Sequence, residues 1–159
     1  MMLDEAVVDG SSYGKLYHGT SEGSRMDIMD YGWSSYENGI SFSQFRKSAY
    51  GFGPNVIVVN LTPGSKIWTG DEVRRRFLEI RKKEKFYHPT MEEKIIADRV
   101  MDEMIRSLSD YDGIDFTYKG TGIRARYRYP WEQEVRVENW EIVNILGYFD
   151  RDRNFHKKD

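Results

Sequence analysis

Six consecutive residues, Val56-Ile57-Val58-Val59-Asn60-Leu61, constrain this chain more than any other stretch. They are β-branched or apolar almost throughout and show no polar alternation. Successive side chains of a strand point to opposite faces, so a strand of this composition is buried on both. With 159 residues the chain suits one domain with one core. Thr62-Pro63-Gly64 then supplies a turn, and Lys66-Ile67-Trp68 a further short strand.

The flanking sequence fills in around that strand. Residues 1–12 are expected to form a loose N-terminal arm ending in Asp9-Gly10-Ser11-Ser12, and Tyr13 to Tyr17 the first strand. Ser21 to Ser24 can cap a short helix with Met26, Ile28 and Met29 on its apolar side, closed by Tyr31-Gly32. Trp33 to Asn38 follows as a loop and Gly39 to Phe42 as a short strand. Ser43 can cap a helix over Gln44 to Tyr50 that Gly51-Phe52-Gly53-Pro54 stops. Two capping boxes, Thr69-Gly70-Asp71-Glu72 and Thr90-Met91-Glu92-Glu93, open a helical pair over residues 71–108. Val73, Phe77 and Ile80 stripe the first helix, and Ala97, Met101, Met104, Ile105 and Leu108 the second. The basic residues between Arg74 and Lys83 lie among acids and form a solvated face, with nucleic-acid contact the smaller option. Strands are expected at Ile114 to Thr117, Gln133 to Val137 and Ile142 to Phe149, with a long loop from Tyr118 to Pro130. A charged, mobile tail, 150–159, ends the chain. Six or seven strands with helices grouped between them give an α+β pattern, not an alternating βαβ one.

Composition narrows the chemistry. Aromatic residues reach 14 %, so core and pockets are expected to be aromatic. The formal net charge of −2 gives no global case for nucleic-acid or membrane binding, and any basic surface must be local. There is no cysteine, which removes thiol catalysis, Cys-based zinc sites and disulfides, and fits a reducing cytosol. Met1-Met2-Leu3-Asp4-Glu5 is too acidic for a signal peptide, and no apolar run approaches a membrane span.

Three short stretches can carry chemistry. Leu16-Tyr17-His18-Gly19-Thr20 is a strand handing over to a turn, with a glycine that lets a backbone or ligand approach beside a histidine. Gly39-Ile40-Ser41-Phe42-Ser43 places two serines around a phenylalanine at a strand end, and Tyr50 follows two helical turns on, able to stack on a planar ring. The blander alternative is a core Phe, a capping Ser and a core Tyr. In Trp131-Glu132-Gln133-Glu134-Val135, a strand sets Glu132 and Glu134 on one face. Two carboxylates so close repel, which is tolerated with full solvation or with a purpose such as stabilising an oxocarbenium-like cation.

In this order the three stretches resemble the ADP-ribosyltransferase superfamily, the fold of diphtheria-type toxins, poly(ADP-ribose) polymerases and arginine-specific mono-ADP-ribosyltransferases. The resemblance spans about residues 13–149. His18-Gly19 matches the first-strand motif of the His-Tyr-Glu branch. Ser41 and Ser43 with Glu132-Gln133-Glu134 match the Arg-Ser-Glu branch, so the branch and its acceptor chemistry stay open. The resemblance implies two packed, mostly antiparallel sheets forming an NAD cleft, with the helical pair inserted between central strands. NAD is the implied co-substrate, with no metal. Glu134 and Glu132 are the implied catalytic residues, and His18, Gly19, Thr20, Ser41, Phe42, Ser43 and Tyr50 the implied NAD contacts. The basic, aromatic loop with Arg124, Arg126, Tyr127 and Arg128 would dock the acceptor, protein or nucleic acid. A toxin- or phage-effector-like modifier in its own or a host cytoplasm is implied, with an antitoxin or immunity protein as partner and no membrane. Two alternatives remain: an RNA 2′-phosphotransferase-like NAD enzyme, and a catalytically inactive NAD-fold or nucleic-acid-binding module.

Overall fold

The computed structural model describes residues 7–34, 36, 39–68, 111–115 and 134–159, and for residue 134 the backbone alone. The fold is α+β, as the segment pattern implies. Nine strands are described: β1 Val7–Asp9, β2 Leu16–Thr20, β3 Ile40–Ser43, β4 Asn55–Leu61, β5 Lys66–Trp68, β6 Gly113–Asp115, β7 Glu134–Val137, β8 Val143–Phe149 and β9 Phe155–Lys157. They form one mixed sheet in the order β1-β5-β6-β7-β3-β2-β4-β8-β9, open rather than closed into a barrel. β5 and β6 run parallel, and the other neighbours antiparallel. Two short helices are described, α1 Glu22–Tyr31 and α2 Arg46–Ala49. Among the described residues no helix is long and apolar enough to cross a membrane.

The mostly apolar strand β4 is covered on both faces. Directly opposed residues of antiparallel strands share a face. Leu16 and His18 of β2 oppose Val59 and Ile57 of β4, and Ile57 opposes Tyr148 of β8. On this face Leu16, Ile57, Val59 and Leu61 join one core cluster with Ile28 of α1, Trp33, Ile40 and Phe42 of β3, Ile67 of β5, and Val135 and Val137 of β7. Burying each such side chain contributes about 1.5–3 kcal/mol. The other face holds Gly19, Val56 and Phe149, opposed in register. There the backbone carbonyl of Ala49, at the end of α2, lies where a Cβ on Gly19 would be, 1.7 Å from that carbonyl oxygen. Gly19 is therefore a contact site for α2 inside a strand.

Several elements differ from the sequence reading, each for a visible reason. The first strand starts at Leu16, because Gly10–Tyr13 form a 3-10 turn capped by Asp9, whose Oδ1 accepts from Ser11 N at 2.9 Å. It also continues through His18 and Gly19 to Thr20, because β4 supplies partners as far as Asn55 opposite Thr20. The expected arm is built into the sheet from Val7 onward, where β1 pairs with β5. The expected tail turns back as β9 on β8. Asp150 sets that turn, its Oδ1 accepting from Asp152 N at 2.9 Å and Asn154 N at 3.0 Å. α2 is only four residues long because Ser43 does not cap it. Its hydroxyl instead accepts from Phe45 N at 3.1 Å and donates to Phe45 O at 3.0 Å, closing a local turn. The helix Ser21 was expected to cap is present, with Ser21 Oγ accepting from Ser24 N. The helical pair 71–108 lies outside the described residues.

Candidate functional site

Among the described strands the sparsest pairing is between β2 and β3. β3 pairs with β7 over four register positions and β2 with β4 over five, but β2 and β3 meet at a single pair, Tyr17 opposite Ser43. Beyond it the next residues of the two strands share no ladder pairing. The His18 side chain crosses this gap, with Nδ1 2.9 Å from the Ser41 carbonyl oxygen. A carbonyl can only accept, so the proton sits on Nδ1 and Nε2 keeps a bare lone pair.

The surroundings hold the ring in that state. Trp33, Tyr36 and Phe42 present T-shaped contacts to the imidazole with centroids at 5.2, 5.7 and 5.9 Å. Burial pushes the His18 pKa down from its ordinary value, and the Ser41 carbonyl opposes this only in part. Burial thus favours the neutral imidazole, oriented by the Ser41 carbonyl, with Nε2 as its acceptor nitrogen. The same cluster holds the buried indole Nε1 of Trp33, which has no hydrogen-bond partner among the described residues. Trp33 and Tyr36 were read from the sequence as loop. The signal for them was the high aromatic content, which foretold an aromatic lining without saying which rings.

The three stretches singled out in the sequence lie on adjacent strands. Ser43 is opposed by Tyr17 on one side and by Glu134 on the other, so the order β2-β3-β7 sets residues 17, 43 and 134 abreast at about 4.8 Å per strand. His18 follows directly on β2, and Ser41 lies two residues from Ser43 on β3. Phe42 is fully buried and forms the wall behind His18. Thr20 is buried at the end of β2, opposite Asn55. Asn55 Oδ1 accepts from Arg25 Nε at 3.2 Å.

Tyr50 follows Ala49, the residue that touches Gly19, so the glycine and the tyrosine are joined through α2. Its hydroxyl donates to the Asp150 carbonyl at 2.9 Å, and the Arg153 guanidinium lies 4.2 Å from the ring centroid. Next to Tyr36, Ser24, Asp27, Ile28, Tyr31, Gly32 and Ser34 line a cavity of about 380 Å³ between α1 and the loop after it. Glu132, Arg124, Arg126, Tyr127 and Arg128 lie outside the described residues. No protein-family model, no curated protein and no solved structure matches this chain.

Proposed function

We propose that this protein transfers ADP-ribose from NAD to a macromolecular acceptor and releases nicotinamide. The observation that carries this reading is the seam between β2 and β3: Tyr17, Ser43 and Glu134 lie abreast on three neighbouring strands, and the next residue of β2, His18, bridges the seam through the Ser41 carbonyl. We take the seam as the parting of the two sheet halves and the floor of an NAD cleft. The bare Nε2 of His18 suits a ribose hydroxyl, which can donate to it. The Gly19 backbone would hold the nicotinamide amide, Tyr50 would stack on the nicotinamide ring, and Ser41 would face the ribose. The cavity beside Tyr36, with Asp27 and two serines in its lining, is of a size and polarity for a nucleoside.

In the reaction the bond between ribose C1′ and the nicotinamide nitrogen breaks. Its electron pair leaves with nicotinamide, which becomes neutral, and positive charge builds on the ribose. The Glu134 carboxylate would stabilise that charge. The acceptor then gives a lone pair to C1′ and loses its proton, which Glu132 would orient or take. The loop carrying Arg124, Arg126, Tyr127 and Arg128 would hold the acceptor. A cytoplasm, the protein's own or a host's, is the setting that fits a chain without cysteine, and an inhibitory partner protein fits a modifier of this kind.

The test is release of nicotinamide from NAD, measured beside labelling of a cell lysate that is then digested with protease or nuclease. Glu134→Gln should lower release by about two orders of magnitude or more while the protein stays folded. Wild-type release by the folded variant would remove Glu134 from the reaction. No release by the wild-type chain, with or without lysate, would leave a binding module in place of an enzyme.

A further inference from the structure

The C-terminal hairpin is built to present one side chain. β8 and β9 are joined by a turn that Asp150 organises: its Oδ1 accepts from two backbone amides, and its Oδ2 accepts from His156 Nε2 at 2.8 Å. Arg153 N donates back to the Asp150 carbonyl at 3.0 Å. Within this turn Arg153 has φ of 65°, the only positive φ at a non-glycine position among the described residues. A left-handed residue with a side chain is strained and persists when its surroundings hold it. What holds it here is Tyr50: the guanidinium covers a face of the ring, and the Tyr50 hydroxyl is tied to the same turn.

Guanidinium is a planar cation stacked on an aromatic face. The nicotinamide ring of NAD is also a planar cation, and Tyr50 is the ring on which the proposed function stacks it. We propose that Arg153 is an internal stand-in for nicotinamide, and that the β8–β9 hairpin is a latch that must release Tyr50 before NAD is fully bound. This rests on the NAD reading of the site. The hairpin lies at the edge of the described sheet, where β9, three exposed residues, pairs with β8 on one side only. The contact then sets the affinity for NAD, since the ligand must displace an occupant already on the ring.

The experiment uses the full chain and two probes, NAD and the 1-methylnicotinamide cation, titrated calorimetrically into wild type, Arg153→Gly, Arg153→Asn, Tyr50→Ala and the Tyr50→Ala/Arg153→Gly pair. Glycine and asparagine both accept φ of 65°, so the turn survives while the guanidinium is lost. Both Arg153 variants should bind NAD about three- to ten-fold tighter, the range of one cation–π contact. The gain should vanish on the Tyr50→Ala background. Simple removal of positive charge cannot explain tighter binding of NAD, whose pyrophosphate is anionic. Amide exchange over residues 150–157 should also quicken at saturating NAD. Equal or weaker NAD binding by both Arg153 variants, with Tyr50→Ala weakened, overturns the latch and leaves the NAD site standing. Binding of NAD by none of the five proteins overturns the site reading and the latch together.

Discussion

Replacing Gly19 by alanine should be among the most damaging single-methyl changes in this fold. A Cβ there would stand 1.7 Å from the Ala49 carbonyl oxygen, 2.7 Å from its carbon and 3.2 Å from Phe52 Cβ, where real Cβ atoms essentially never come within 3.0 Å of a neighbour. The nearest atoms are backbone, so no rotamer change relieves the clash. β2 cannot yield easily, since all five of its residues are in register with β4. α2 and the 3-10 turn Tyr50–Phe52 must therefore withdraw by well over 1 Å, uncovering part of a packed face. Overpacking of this sort costs about 1–3 kcal/mol, offset by roughly 0.5 kcal/mol from the lower unfolded-state entropy of alanine. Because the obstruction is main chain, the net loss should sit near 2 kcal/mol, a fall in Tm of roughly 4–8 °C for a chain of this size. Urea melts should show a lower midpoint with an unchanged slope, and the movement of Tyr50 should weaken NAD binding as well. Gly23→Ala is the matched control: nothing lies within 4 Å of its Cβ, and in the first turn of α1 it should stabilise by up to about 1 kcal/mol. If Gly19→Ala melts at or above the wild-type midpoint, the close approach of α2 to β2 is not a feature of the protein.

Burial lowers the His18 pKa, so below the ordinary imidazole value near 6.5 the unfolded chain binds more protons than the folded one. The stability His18 brings is complete above about pH 6.5 and declines as pH falls from there through its folded pKa. Urea midpoints of wild type and His18→Gln should therefore differ in pH slope below about 6.5, and an identical slope would refute the neutral, buried imidazole. Tyr13→Phe removes the 2.7 Å hydrogen bond from the phenol to Asp115 Oδ2, which ties the 3-10 turn to β6. It should cost about 1–2 kcal/mol in a denaturant melt, and a loss below a few tenths would mean the contact is not formed in solution. Asp150 has its pKa lowered, first by the hydrogen bond from His156 and then by the Asn154 amide. Its share of hairpin stability is present above the ordinary carboxylate value near 4 and is lost as pH falls below it. Amide exchange over 150–157 should accordingly speed up below about pH 4 more than exchange in β4, and parallel changes would count against Asp150 as the turn's organiser.

The strand ladder was legible wherever the side chains carry a periodic or uninterrupted apolar signal. Val56 to Leu61 had to be buried on both faces, and β4 is, between the core cluster and the face on which Gly19 meets α2. The α1 boundaries were legible because Ser21 and Gly32 are local signals that act through neighbouring backbone groups. The three chemical stretches were legible as residue types, in order, and the register brings residues 17, 43 and 134 abreast.

Whatever depends on a partner distant in sequence was not legible. Val7 to Asp9 and Phe155 to Lys157 are too short to announce a strand, and each becomes one because β5 or β8 offers an edge. Ser43 is a local exception: it looks like a helix cap by type, but its hydroxyl is spent on Phe45, two residues on. The glycine after His18 suggested a turn. Tertiary packing kept it in the strand, because the missing side chain is replaced by the carbonyl of a helix thirty residues away. The sequence by itself determined which segments are apolar on which period and which chemical groups are available. Only the tertiary structure decided which of those groups meet. The proton position on His18 depends on a carbonyl of another strand, and the occupant of Tyr50 on a turn a hundred residues on. A long-range contact is a property of two segments and of the closure that brings them together, and neither segment alone encodes it.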